Sequence, residues 1–72
     1  MTRTEIQLDT LSDVNKFVEV MSGVKAKVWL ADDDGNRVSA KSLLGALYSM
    51  EWTHIYCYCE ENITMELFPW II

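Results

Sequence analysis

From Arg3 to Leu8 the chain alternates, with Thr4, Ile6 and Leu8 on one side and Arg3, Glu5 and Gln7 on the other. That is the pattern of a half-buried strand. Asp9-Thr10-Leu11-Ser12-Asp13 then offers several N-caps, and Asp13 suits the positive end of a helix dipole. Leu11, Val14, Phe17, Val18 and Met21 recur at helical spacing, and Gly23 predicts a left-handed stop. The period returns to two from Lys25, with Ala26, Val28 and Leu30 facing one way and Lys25, Lys27 and Trp29 the other. Asp32-Asp33-Asp34-Gly35-Asn36 reads as a hairpin turn into a short strand at Arg37-Val38. Ser39 is the expected N-cap of a second helix with the apolar stripe Leu43, Leu44, Leu47 and Met50, and Gly45 is tolerated inside it. A last strand, residues 55–60, sets Ile55, Cys57 and Cys59 opposite His54, Tyr56 and Tyr58. The tail has two readings. Asn62 caps a short helix that Pro69 ends, or residues 63–68 alternate as a strand; the helix is preferred.

This order of elements predicts an α+β fold, a four-stranded antiparallel sheet with helices covering one face. Its expected core gathers Phe17, Val28, Leu44, Leu47 and Ile55.

Seventy-two residues, half of them apolar and 24% charged, make one compact domain, 1–72. Such a chain buries only about 60% of the surface its unfolded form exposes, so its stability is modest. No apolar run approaches the ~20 residues needed to span a bilayer, and Met1 to Leu8 contains no apolar signal region. Six basic against eleven acidic side chains leave a net charge of −5. That sign disfavours nucleic acid and anionic membranes, where Lys and Arg must neutralise phosphates. Cys57 and Cys59 stand at i and i+2 of the last strand, about 6.6 Å apart with parallel side-chain directions, which is poor geometry for a disulfide. The expected compartment is a reducing cytoplasm.

Candidate chemistry is sparse. His54, Cys57 and Cys59 form a His-x-x-Cys-x-Cys string, but a strand sends His54 to the face opposite both sulfurs, and tetrahedral zinc needs four ligands. The aspartates of 32–36 lack the spaced ligands and closing Glu of a calcium loop. The carboxylates are scattered, and Gly23, Gly35 and Gly45 lie too far apart to cradle a phosphate. No metal or cofactor is expected. Trp29, Tyr56 and Tyr58 share the uncovered sheet face, where cross-strand packing is favoured over base stacking because Glu5 and the negative charge oppose RNA. Ser42 stands in the first turn of the second helix, where free N–H groups favour a phosphate.

The segment Ala40-Lys41-Ser42-Leu43 resembles the central helix start of HPr, the histidine-containing phosphocarrier of the bacterial sugar phosphotransferase system. Thr4 to Leu8, Asn15 to Glu19, Val24 to Leu30 and Ile55 to Cys59 resemble other HPr elements. The ending Leu67-Phe68-Pro69-Trp70-Ile71-Ile72 is similar to that of short clostridial-type HPr-like proteins. The resemblance implies an open-faced βαββαβα sandwich. It also implies a loss: aligning on Phe17-Val18 places Thr10 where the family has its phosphoryl-accepting His, Ser12 at its Arg and Asp13 at its Pro. No imidazole then forms a phosphohistidine, no guanidinium clamps the phosphate, and a carboxylate repels it.

Ser42 matches the serine that HPr kinase modifies in some bacteria. The implied function is therefore a catalytically degenerate, non-enzymatic HPr-like module working through protein contacts, regulated at Ser42 and docking through Ser39, Ser42, Leu43 and Leu47. By resemblance its partner is a phosphotransferase-system component, HPr kinase or a transcription regulator. The alternative is a working phosphocarrier with an unusual acceptor.

Overall fold

In the computed structural model, which describes residues 1–72, four strands form one antiparallel sheet. They are Thr2–Ile6 (β1), Val28–Ala31 (β2), Arg37–Ser39 (β3) and Ile55–Cys59 (β4), in the spatial order β1-β4-β2-β3. Helices Leu11–Ser22 (α1), Leu43–Ser49 (α2) and Thr64–Leu67 (α3) complete an open-faced α+β sandwich, and a 3-10 turn over Phe68–Trp70 follows α3. No helix is long and apolar enough to cross a membrane.

Side-chain alternation sets the two faces of the sheet. Ile6, Val28, Leu30, Ile55, Cys57 and Cys59 point into a core completed by Val14, Phe17 and Met21 of α1 and by Leu67 and Trp70 of the tail. The register pairs Thr4 with Cys57 and Leu30 with Cys57 on that side, and Glu5 with Tyr56 and Trp29 with Tyr58 on the other. The expectation of Phe17, Val28 and Ile55 in one core holds, and Leu47 packs partly against it.

Four local expectations differ from the structure. The first strand stops at Ile6, because its partner Ile55 is the first residue of β4 and the ladder ends there, although Leu8 stays buried. The second strand begins at Val28, not Lys25. Gly23 ends α1 in a right-handed conformation, φ −81°, with the Gly23 and Val24 N–H groups donating to Val20 O and Met21 O. The left-handed glycine is Gly35, φ +87°, in the hairpin turn where such a residue is required. Ser39 ends β3, and the N-cap of α2 is Ser42, whose Oγ accepts from Gly45 N–H at 3.1 Å.

The tail is helical. Asn62 Oδ1 accepts from the Thr64 N–H and hydroxyl to start it, and Pro69 sits in the 3-10 turn where its missing N–H costs nothing.

Candidate interaction surface

The outer surface of α2 carries large apolar side chains. The helix buries Ala46 and Ser49, while Leu43 is 45% exposed, Leu44 80% and Tyr48 57%. The expected core position of Leu44 is therefore wrong, and the reason is local. A Cβ on Gly45 would stand 3.0 Å from Val38 Cβ and 3.2 Å from Ser39 O, so α2 lies against β3 through a residue with no side chain. Small residues at 45, 46 and 49 let the helix approach closely, and that rotation turns the large leucines out. Ser49 is tolerated inside because its hydroxyl donates to Ala46 O at 2.7 Å. Leu43 with Leu47, and Leu44 with Tyr48, stand four residues apart, so they form neighbouring pairs on one strip of surface.

Ser39, Ser42, Leu43 and Leu47 flank the same surface, with Ser39 and Ser42 exposed and Leu47 half-buried. Lys41 is not part of it, because its Nζ donates to Val24 O near the end of α1. The sequence pointed at this helix and missed Leu44 and Tyr48. The available signal was Gly45-Ala46 followed by Ser49, a small-residue face that competes with the leucines for the inside.

The start of α1, where the resemblance puts Thr10 and Ser12, is organised as a closed cap. Thr10 Oγ1 accepts from Asp13 N–H at 3.1 Å, and Asp13 Oδ2 accepts from Thr10 N–H at 3.2 Å and Asp9 N–H at 3.1 Å. The Asp13 carboxylate thus occupies the Asp9 and Thr10 N–H groups and puts a negative charge at this helix start. Ser12 is exposed and makes no side-chain hydrogen bond that bears on this cap.

Elsewhere Glu5, His54, Tyr56 and Asp33 lie near one another on the open sheet face, and the two thiols are buried on the other. His54 lies on the sheet face opposite the two sulfurs, with Nδ1 2.9 Å from Glu5 Oε2. That hydrogen bond raises the imidazole pKa. Cys57 and Cys59 are buried free thiols, and burial pushes the Cys57 thiol up to about 12. In the hairpin turn Asp32 accepts from Asp34 N–H, Asn36 N–H and the Asn36 side chain. The Asn36 side-chain bond holds its carboxyl below the ordinary range. Asp32 thus closes the loop on itself.

On the open sheet face the aromatic rings already have partners. Trp29 and Tyr58 stack with planes 5° apart and centroids at 5.7 Å. Arg37 lies 5.0 Å from the Trp29 ring centroid and Arg3 4.2 Å from that of Tyr56. The guanidiniums were not foreseen as ring partners, and they make this stripe cross-strand packing. No known family model, curated protein or solved structure matches the chain.

Proposed function

We propose that this chain is a catalytically degenerate, HPr-like protein-interaction module that docks through the outer surface of α2. The observation that carries the proposal is the orientation of that helix: Ala46 and Ser49 face in while Leu43, Leu44 and Tyr48 face solvent. Exposed large side chains clustered on one helix mark a contact surface more often than scattered single ones do. The resemblance of Ala40-Lys41-Ser42-Leu43 to the HPr helix start supplies the class of partner: a phosphotransferase-system component, HPr kinase or a transcription regulator. The closed cap around Thr10 and Asp13 supports the absence of phosphoryl chemistry.

Ser42 is the proposed point of control. It is exposed at the edge of the leucine strip, so a phosphate there adds about −2 charge beside an apolar surface without entering the core. As N-cap its oxygen already faces Gly45 N–H, a donor that a phosphate oxygen also accepts from. The test is labelling by purified HPr kinase with ATP, followed by titration of each form with the transcription regulator that recognises serine-phosphorylated HPr. We expect one acid-stable phosphate, lost in Ser42→Ala, and regulator binding lost in Leu44→Lys. An unlabelled Ser42 under conditions that label a true HPr, with binding indifferent to Leu44→Lys, would sink the proposal.

A further inference from the structure

Strand β1 lies at one edge of the sheet, and the end of the chain covers only part of that edge. Ile71 faces Ile6 in an isolated antiparallel bridge, Gln7 N–H donates to Trp70 O at 2.9 Å, and Ile72 N–H donates to Glu5 O at 3.3 Å. Backbone groups alternate in direction along a strand, so the bond at Glu5 fixes the rest. Arg3, Glu5 and Gln7 point outward; Thr2, Thr4 and Ile6 point to β4. The Arg3 N–H and C=O and the Glu5 N–H therefore face outward with no strand beside them. The cover loosens toward Ile72. Trp70 is 7% exposed and packed on Phe17, Ile71 is half-buried against the core, and Ile72 is 70% exposed and tied by one long hydrogen bond.

An open edge is a template for another strand, and the charges of β1 select which one. Three antiparallel registers against β1 of a second copy use the outward groups. Centred on Arg3, the pairing sets Arg3 against Arg3; centred on Glu5, it sets Glu5 against Glu5. Centred on Thr4, it sets each Arg3 opposite Glu5 of the other copy and Thr4 against Thr4 at the two-fold axis. Opposite charges and Thr–Thr pairs stabilise a ladder, and facing like charges destabilise it. An isologous interface makes each such pair twice. The favoured register runs along Glu5 and Ile6, the stretch that Ile71 and Ile72 occupy.

We propose that Ile71 and Ile72 guard the β1 edge, and that their removal lets two copies of this chain join β1 to β1 in the Thr4-centred register. Arg3 and Glu5 both project on the open face of the sheet, where Arg3 lies over Tyr56 and Glu5 pairs with His54, so the two cross-strand ion pairs form beside these contacts without disturbing the core.

The test is sedimentation velocity on the chain ending at Trp70, with circular dichroism to establish its fold. The full chain sediments as a monomer and the shortened one at twice that mass. Arg3→Glu in the shortened chain returns it to monomer, because both cross-strand pairs become Glu–Glu, and adding Glu5→Arg restores the dimer. A folded shortened chain that stays monomeric overturns the proposal. So does a dimer indifferent to Arg3→Glu, or a full chain that dimerises as strongly. Where shortening unfolds the domain, full-length Ile71→Lys with Ile72→Pro, which loses both the Ile71 packing and the N–H given to Glu5, decides in the same way: dimer for, monomer against.

Discussion

Phe17 and Trp70 meet edge to face, with ring centroids 5.2 Å apart and planes at 88°. One residue comes from the middle of α1 and the other from the last turn of the chain, so this contact fixes the tail to the helical layer. Both are buried, Phe17 completely. Phe17→Ala removes the largest side chain at the centre of the core and leaves Trp70 without a partner. The expected loss is about 3–5 kcal/mol. Against the stability of a small domain, often near 5 kcal/mol, that leaves the variant largely unfolded. A urea melt of Phe17→Ala with a near wild-type midpoint would show that the contact does not hold the tail.

The His54–Glu5 pair predicts a small pH dependence of definite sign. Hydrogen bonding to Glu5 raises the folded imidazole above its ordinary value near 6.5. The stabilisation is thus fully present below that value and is lost as pH rises through the folded one. Titration of the His54 ring protons by NMR should give a pKa above that of the unfolded chain, and Glu5→Gln should bring it down. An unchanged His54 titration in Glu5→Gln would mean the two side chains are not paired in solution.

Burial predicts the reactivity of the thiols. With Cys57 pushed up to about 12, almost no thiolate exists at neutral pH, and core side chains block access to the sulfur. The native protein should leave Cys57 unmodified by a thiol reagent over a period in which the urea-unfolded chain reacts fully. The same shift works against stability in alkali. Between an unfolded thiol pKa of about 8.5 and the folded value of about 12, only the unfolded chain loses its proton, so stability falls as pH rises through that window. Rapid native labelling at Cys57 would indicate that β4 opens locally.

The sheet was legible because a period of two leaves little choice of face. Ile55, Cys57 and Cys59 point inward, and His54, Tyr56 and Tyr58 stand across from them as alternation requires. Asp-Gly marked the hairpin for a comparable reason, since Gly35 supplies the positive φ. The second helix was legible in existence and not in rotation. Ranking its positions by hydrophobicity puts Leu44 inside, but what decides is how near the backbone can come to β3, and Gly45 answers that. Arg3 and Arg37 stayed unread as ring partners because the register that brings them over Tyr56 and Trp29 is a long-range property. The cap at Thr10 lay within the span the sequence offered, and its reciprocal bond with Asp13 needed coordinates to identify.

That cap decides the prediction about phosphoryl transfer. Enzyme I hands its phosphoryl group from one imidazole to another, and the resemblance puts Thr10 at the receiving position. The Thr10 hydroxyl accepts from Asp13 N–H, and none of its hydrogen bonds is to a base that could activate it. The Asp13 carboxylate holds the N–H groups of Asp9 and Thr10, so an incoming phosphate meets a negative charge where it needs donors. The native protein should therefore take no label from phosphoenolpyruvate through Enzyme I. Thr10→His alone should remain nearly inert, because Asp13 stays in place and Ser12 contributes no positive charge. Thr10→His with Ser12→Arg and Asp13→Pro removes the carboxylate, adds a guanidinium and frees the backbone N–H groups of residues 9 and 10, so it should label measurably faster than the single variant. Incorporation into each variant, read as acid-labile phosphate, separates the cases. Rapid labelling of the unmodified chain would establish a working phosphocarrier instead, and its loss in His54→Ala would name His54 as the acceptor.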